Sequence, residues 1–464
     1  MIVRLTRSCG RALLGTARLA LAVTLVSACA GRTTSPPRPA DAAGAWEGEV
    51  RVGEAVLPMT ITLERSGIGW TGTVDAPSQY ALRYPLTELR VDTTTVAFRF
   101  TDLLPPGVFE GQWTGGRIRG RFTSPLGSDT IEGTFELWRR PSGTVPYSTE
   151  SVRFRNGELE LAGTIFRPRA SGALPAVVFV HGSGPQTRDS YIRWFADQFA
   201  RAGFVTLIYD KRGTGESGGE RWPQTTGSFA DLADDAVAGV SVLREYAYVD
   251  ATRIGIWGLS QGAWISPLAA ARAANVVRFL VMISGGGVSP AEQELYDDEV
   301  KLRDLGFDQA AIDEALAYLR LADQYVRTGS DEDWERFALA RDDARRRPWY
   351  SHLDRFPQIL PREAPVWAGL RTDLDYDPVP VLNGVRVPVL LILGEEDRLT
   401  PANETAARVR RALESGGNLD VTVRVLRGAD HALLVKPSRH APWLADKPAA
   451  NWVDEMLDWA TRQR

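Results

Sequence analysis

Between residues 46 and 140, apolar and polar positions alternate in short runs broken by Gly, Pro and Asp. PMTITLER, GWTGTVDA, TVAFRF, GQWTGG, IRGRF and IEGTFELW all follow this period of two. In an extended strand successive side chains point to opposite faces, so the pattern predicts a small antiparallel sheet or barrel with one buried face. No helix of ten residues is legible there. Trp46, Trp70, Trp113 and Trp138 fall in similar short contexts, several beside Gly, and are expected to be core. No chemistry is assigned to this region.

The rhythm changes after PSGTVPYSTE (141–150), which reads as a linker. AVVFVHG, FVTLIYD, RIGIWGLS, FLVMISGG and VPVLLILGEED are apolar runs of strand length. Amphipathic segments such as YIRWFADQFARA and FADLADDAVAGVSVLREY separate most of them. Apolar strands alternating with helices predict an α/β fold over 151–464, a mostly parallel sheet covered by helices on both faces. At about 290–380 the alternation stops, and EQELYDDEVKLRDL, AAIDEALAYLRLADQYV and DEDWERFALARDDARRR follow as consecutive helices. They predict a helical cap inserted over the sheet. The α/β pattern resumes at Val387 and ends in a helix near Trp452–Thr461.

The first 28 residues form a third pattern. Arg4, Arg7, Arg11 and Arg18, with no acid, precede the apolar run LALAVTLVSA, too short to span a membrane. This is the pattern of a secretory signal. Val26-Ser27-Ala28-Cys29 resembles a lipobox, which implies lipidation at Cys29; ordinary cleavage near Ala28 or Ala30 is the alternative. GRTTSPPRPADAAG (31–44) lies within a flexible tether, 29–45, that would join the lipid to the domain at 46–140. The expectation is an exported lipoprotein anchored in the cell envelope and facing the periplasm, or a secreted protein if Cys29 is not lipidated.

Composition narrows the chemistry. The 464 residues are 44% hydrophobic and 24% charged, ordinary for a chain with a sizeable core. The net charge is −4, becoming about −8 once the four leader arginines are removed, and no long basic run occurs. Nucleic acid is therefore not an expected partner. Both cysteines, Cys9 and Cys29, lie in the first thirty residues, which excludes a disulfide framework, a thiolate metal site and a cysteine nucleophile from the body. No metal-ligand spacing and no P-loop is present, so neither metal nor cofactor is expected. GTGESG (213–218) matches G-x-G-x-x-G, but GERWPQTTGS separates it from the next helix, and it reads as a turn-rich loop rather than a dinucleotide site.

GLSQG (258–262) stands between a strand, RIGIWG, and a helix, AWISPLAAARAA. This is the setting of a nucleophile elbow, in which a sharp turn lifts a serine hydroxyl clear of the sheet, so Ser260 is the candidate nucleophile. Serine needs a positioned base. Of four histidines, His431 follows the strand VTVRVL and comes after Ser260, as chain order in such a site requires. His440 follows no strand, and His352 falls in the cap region. The third member should follow a strand between them: Asp397 after VPVLLILG, with Glu395 and Glu396 as alternatives. HGSGP (181–185) ends the strand AVVFV and can expose the Ser183 N–H beside that of Gln261, giving an oxyanion hole. His181 is expected to order that loop.

HGSGPQTRD, YDKRGTGESGG, SFADLADDA, RIGIWGLSQGAWISPLAA, GEEDRLTP and GADHAL together resemble the α/β-hydrolase superfamily across about 150–464. More narrowly, the chain resembles bacterial serine esterases that carry a β-rich domain before the hydrolase. Ala263 stands where that pattern often has Gly. The resemblance implies a Ser260, Asp397, His431 triad and hydrolysis of small or medium acyl esters through an acyl-enzyme. An aminopeptidase or acyl-peptide hydrolase on the same triad is the alternative, with Asp297, Asp298, Glu299 or Asp323 as ammonium ligands. A non-catalytic envelope binding lipoprotein is a reading of another class. Oligomeric state is not legible.

Overall fold

The structure, a computed structural model, describes residues 42–100, 107–126, 129–141, 143–221, 227–353, 361–363, 366–437 and 445–463. The leader with Cys29, most of the tether and His440 lie outside the described residues.

The alternating region forms nine antiparallel strands: β1 (Gly44–Val52), β2 (Ala55–Ser66), β3 (Gly69–Ala76), β4 (Ala81–Pro85), β5 (Thr87–Val91), β6 (Thr95–Phe100), β7 (Gly107–Thr114), β8 (Arg117–Leu126) and β9 (Asp129–Arg140). Their order is β4-β3-β2-β1-β9-β8-β7-β6-β5. This is an up-and-down meander whose first strand returns to pair with its last, Val50 opposite Phe135. Only β4 and β5, joined through Leu86, are left as edges.

Every second residue points inward. Trp46, Ile61, Phe98, Phe109, Trp113, Phe122 and Phe135 are buried in one cluster, and the Phe98 and Phe109 rings stack at 4.7 Å. Gly111 makes room for this filling, since a Cβ there would lie 2.8 Å from the Phe135 ring. The expectation for the tryptophans holds for Trp46 and Trp113, in part for Trp70, which packs against the cluster's rim, and not for Trp138. Trp138 is 45% exposed beneath the Arg117 guanidinium, and Trp70 is half-buried beneath that of Arg65. Trp138 occupies the outer phase of the alternation, next to buried Leu137, where its ring packs against a cation instead of the core. Trp70 shares the inward phase of Val74 and packs against the rim of the cluster.

The second sheet starts with a hairpin, β10 (Tyr147–Asn156) and β11 (Leu159–Pro168), which begins inside the stretch read as a linker. It continues through β12 (Leu174–Val180), helix α1 (Ile192–Arg201), β13 (Val205–Tyr209), α2 (Phe229–Leu243), β14 (Val249–Leu259), α3 (Gln261–Arg272) and β15 (Val277–Ile283). The cap follows as α4 (Pro290–Asp304), α5 (Gln309–Thr328), α6 (Asp331–Ala344) and α7 (Val366–Asp373), with the short α8 (Val379–Leu382) leading back to the sheet. Last come β16 (Val389–Gly394), α9 (Ala402–Ser415), β17 (Val421–Leu426), a small pair of strands β18 (Leu434–Val435) and β19 (Lys447–Pro448), and α10 (Trp452–Arg462).

The sheet order is β10-β11-β13-β12-β14-β15-β16-β17, parallel from β13 to β17. This is the α/β-hydrolase fold with a helical cap, preceded by an all-β sheet. Helices α2, α3 and α9 pack on one face, α1 and α10 on the other, which is why the central strands are apolar throughout. The cap has its own core, built around Leu302, Leu319, Phe337, Trp349 and Trp367.

One turn joins the two sheets. Tyr80, between β3 and β4, lies 5.0 Å from Trp194 and 5.1 Å from Phe195, ring to ring, on α1. Its hydroxyl accepts from Trp452 Nε1 (3.0 Å) and donates to the Leu433 carbonyl (3.3 Å). Gln79 Nε2 donates to the Asp446 carbonyl beside it.

Candidate functional site

The sharp turn expected at GLSQG is present. Ser260, between β14 and α3, has φ 55° and ψ −116°, a region non-glycine residues rarely adopt. The neighbouring strand β15 and helix α3 hold it there: Ser260 N–H donates to the Ile283 carbonyl and the Ser260 carbonyl accepts from Ala263 N–H, both at 2.8 Å. The flanking glycines are required by close approach. A Cβ on Gly258 would lie 2.1 Å from the Gly262 carbonyl oxygen, and one on Gly262 would lie 2.5 Å from that of Val180.

The candidate acid lies two strands on, after β16, and the candidate base three, after β17. Asp397 follows β16 and its side chain is fully buried; Oδ1 accepts the N–H groups of Leu399 and Thr400 at 2.8 Å each. Its Oδ2 lies 2.8 Å from His431 Nδ1. A carboxylate accepts, so Nδ1 carries a proton, and in the neutral ring Nε2 is then the nitrogen with the lone pair. Glu395 instead accepts from Gly428 N–H at the sheet edge, and Glu396 is exposed. His431 sits in a tight loop: Asp430 Oδ1 accepts from Ala432 and Leu434 N–H, and Leu433 has φ 60°.

A continuous path links the two halves. Ser284 follows the residue that accepts from Ser260, its carbonyl accepts from the Thr400 hydroxyl, and Thr400 N–H holds Asp397. The cap reaches the same loop through Tyr296 on α4, whose hydroxyl donates to the Asp397 carbonyl at 3.2 Å. Among the cap acids, Asp298 and Asp323 are buried, unlike groups of a solvated helix face. His352 packs its ring against Phe307, 5.6 Å away, inside the cap.

The 181–184 loop lies against Ser260, with the Cβ position of Gly182 3.5 Å from that of Ser260. Gly182 N–H is taken up by the Tyr191 hydroxyl at 3.1 Å. His181 orders the loop by donating from Nε2 to the Tyr209 carbonyl (2.5 Å), and burial pushes its pKa down to about 4, so it stays neutral. Ser183 follows Gly182 in the β12 loop, and Gln261 follows Ser260 as the first residue of α3.

Lys211 was not singled out in the sequence. It follows β13, is 3% exposed, and donates from Nζ to the carbonyls of Gly182 (3.0 Å) and Gly184 (3.2 Å) and to Gln261 Oε1 (2.6 Å). Burial pushes its pKa down to about 7, opposed by the charge of Asp235. The available signal was a lysine directly after an apolar strand. GTGESG forms a turn closed by Gly213 N–H to the Gly218 carbonyl, and α2 begins only at Phe229. Among the described residues no group of three His, Cys, Asp or Glu is placed to hold a metal ion. No helix among them is long and apolar enough to cross a membrane.

Ser260, the 181–184 loop, Asp397 and His431 thus all hang from the C-terminal ends of parallel strands, where open α/β sheets place their sites. Residues 177–445 match the model of the alpha/beta hydrolase family. The chain belongs to that family. Among curated proteins, it is 30% identical over 118 residues to the quorum-quenching protein AidA of Acinetobacter baumannii, covering 25% of this chain and 38% of that one. To esterase EstD of Thermotoga maritima it is 26% identical over 314 residues, covering 65% of this chain and 66% of that one. The chain therefore spans less than two thirds of each of these relatives. The solved alpha/beta hydrolase GrgF from Penicillium sp. sh18 aligns with 69% of this chain and 99% of its own, at 21% identity and a TM-score of 0.44.

Proposed function

We propose that this family member is a serine carboxylesterase acting on small or medium acyl esters. The observation that carries the proposal is the buried Asp397 carboxylate 2.8 Å from His431 Nδ1, at the same strand-end edge of the sheet as a serine held in a strained strand-to-helix turn. His431 Nε2 takes the proton of Ser260 Oγ as that oxygen bonds to the ester carbonyl carbon, and Asp397 offsets the imidazolium charge. The N–H groups of Ser183 and Gln261 stabilise the tetrahedral oxyanion. Collapse breaks the bond to the alcohol, which leaves with the proton from His431. Water, deprotonated by the same imidazole, then releases the acid and restores Ser260. The description of the Thermotoga relative as an esterase supports the choice of ester over amide.

The test is turnover of a nitrophenyl ester series from acetyl to long acyl, with aminoacyl nitroanilides in parallel and Ser260→Ala beside the wild type. Ester turnover lost in the variant supports the esterase; turnover of aminoacyl amides alone transfers the site to a peptidase. We also propose that the protein is exported and lipidated at Cys29. Mass spectrometry of membrane-associated protein should then show a diacylglyceryl cysteine that Cys29→Ser abolishes, and an unmodified soluble product would refute it.

A further inference from the structure

A buried lysine is costly unless each of its donors is used. Lys211 uses all three. Its ammonium donates to Gly182 O, Gly184 O and Gln261 Oε1, so one side chain grips the β12 loop on both sides of Ser183 and also the first residue of α3. Its backbone adds to this, with Lys211 N–H donating to the Gln186 carbonyl at 3.0 Å.

The covalent geometry gives these contacts a consequence. The Gly182 carbonyl and the Ser183 N–H belong to one planar peptide unit, and in a trans peptide they point in opposite directions. An ammonium that fixes Gly182 O therefore fixes the direction of the Ser183 N–H. It also draws electron density through the amide, which makes that N–H a stronger donor. On the other side, Gln261 carries the second oxyanion donor on its backbone, and Lys211 holds the same residue by its side chain. We propose that Lys211 is a positioning residue that keeps the two halves of the oxyanion hole in register, an inference that rests on the serine-hydrolase reading above.

The ammonium has three donors and the neutral amine two, so loss of the proton releases one grip. The charged and titratable groups around Lys211 are Asp235 on α2, His181 and Tyr191 on the β12 side, and Tyr209, Asp210 and Arg212 on its own segment. Asp210 pairs with Arg188 at 3.3 Å, and Arg212 with Asp235 at 2.7 Å. His181 is pushed down to about 4 and Tyr191 up to about 12, both by burial, and Tyr209 is pushed upward. Lys211, pushed down to about 7, changes charge as pH rises through neutrality.

The experiment compares the full chain with Lys211→Met, Lys211→Arg and Gln261→Met on the best nitrophenyl ester, across pH. Loss of alignment at a transition-state donor acts on kcat, so Lys211→Met should lower kcat by about 10- to 100-fold and leave KM within about threefold. Wild type should lose kcat as pH rises through about 7. Lys211→Met should lack that alkaline limb, and Lys211→Arg, charged throughout, should keep kcat flat there. Gln261→Met, which removes one acceptor and leaves Lys211 in place, should lower kcat by about 3- to 10-fold, and it supplies the readout if Lys211→Met does not fold. Unchanged kcat and an unchanged pH profile in the folded variants would overturn the proposal. Wild type that turns over neither the esters nor the aminoacyl nitroanilides would remove the serine-hydrolase reading itself, and this inference with it.

Discussion

The two sheets of this molecule are built from strands of similar length and end in very different ways. In the β1–β9 sheet, antiparallel neighbours are joined by tight turns: Gly53, Gly67 and Gly115 take left-handed backbone there, and two residues separate β1 from β2, β2 from β3 and β7 from β8. Strand ends are consumed in closing hairpins. In the second sheet, parallel strands must be reconnected by long crossovers. The residues leaving each strand are then free to hold a side chain over the sheet edge, and Lys211, Ser260, Asp397 and His431 all stand at such places. The first sheet turns its side chains into an aromatic filling, and the second places the candidate site at strand ends.

Four changes would sharpen or break that contrast. The largest effect is expected at a strand end: Asp397→Asn should lower kcat on esters by about 10⁴-fold, because an amide cannot hold the Nδ1–H tautomer as the carboxylate does. Its fold, followed by circular dichroism, should be retained. In the first sheet, Phe109→Ala should cost about 3–5 kcal/mol, read from denaturant unfolding, since Phe109 is fully buried among Phe98, Phe100, Phe122 and Phe135. The kcat of the protein that remains folded should be unchanged; a matching fall in kcat would break the separation.

Tyr80→Phe tests the joint between the sheets. It leaves the ring and removes the hydroxyl that bridges Trp452 and the Leu433 carbonyl, for a cost of about 1 kcal/mol. A Tm unchanged from wild type would mean that this bridge contributes nothing.

The smallest effect is a pH-dependent one at Asp373, on the last turn of α7. Burial raises its pKa from 3.8 to about 6, although its Oδ2 accepts from Phe229 N–H. A raised carboxyl pKa means that the uncharged form fits the fold better. The contribution to stability is present below pH 3.8 and lost as pH rises through about 6. Asp373→Asn, which keeps an acceptor for Phe229, should therefore raise Tm relative to wild type more at pH 8 than at pH 4, by differential scanning fluorimetry at both.

Much of this organisation was legible in the chain because it follows from short-range pattern. GLSQG after an apolar strand predicts the turn at Ser260, and the strand-like runs ending at Gly394 and Leu426 place Asp397 and His431 on neighbouring loops. Three features escaped for identifiable reasons. Trp138 stands in the outward phase of β9, and Trp70 at the open end of β3, and both placements depend on strand pairing, which composition does not reveal. The β10–β11 hairpin lies beside a Pro- and Gly-containing stretch that masks its start. Lys211 looks like a surface cation until the β12 loop and α3 are folded around it, because its three acceptors lie 27, 29 and 50 positions away along the chain.

The central claim is that Ser260 is the activated nucleophile at the C-terminal edge of the parallel sheet. The most direct measurement is incubation of the native protein with a fluorophosphonate, followed by peptide mass spectrometry. A single phosphonyl adduct on the peptide containing Ser260, absent after prior denaturation and absent in Ser260→Ala, is the predicted result. No adduct on the native protein, or an adduct on another residue that persists in Ser260→Ala, would contradict the account.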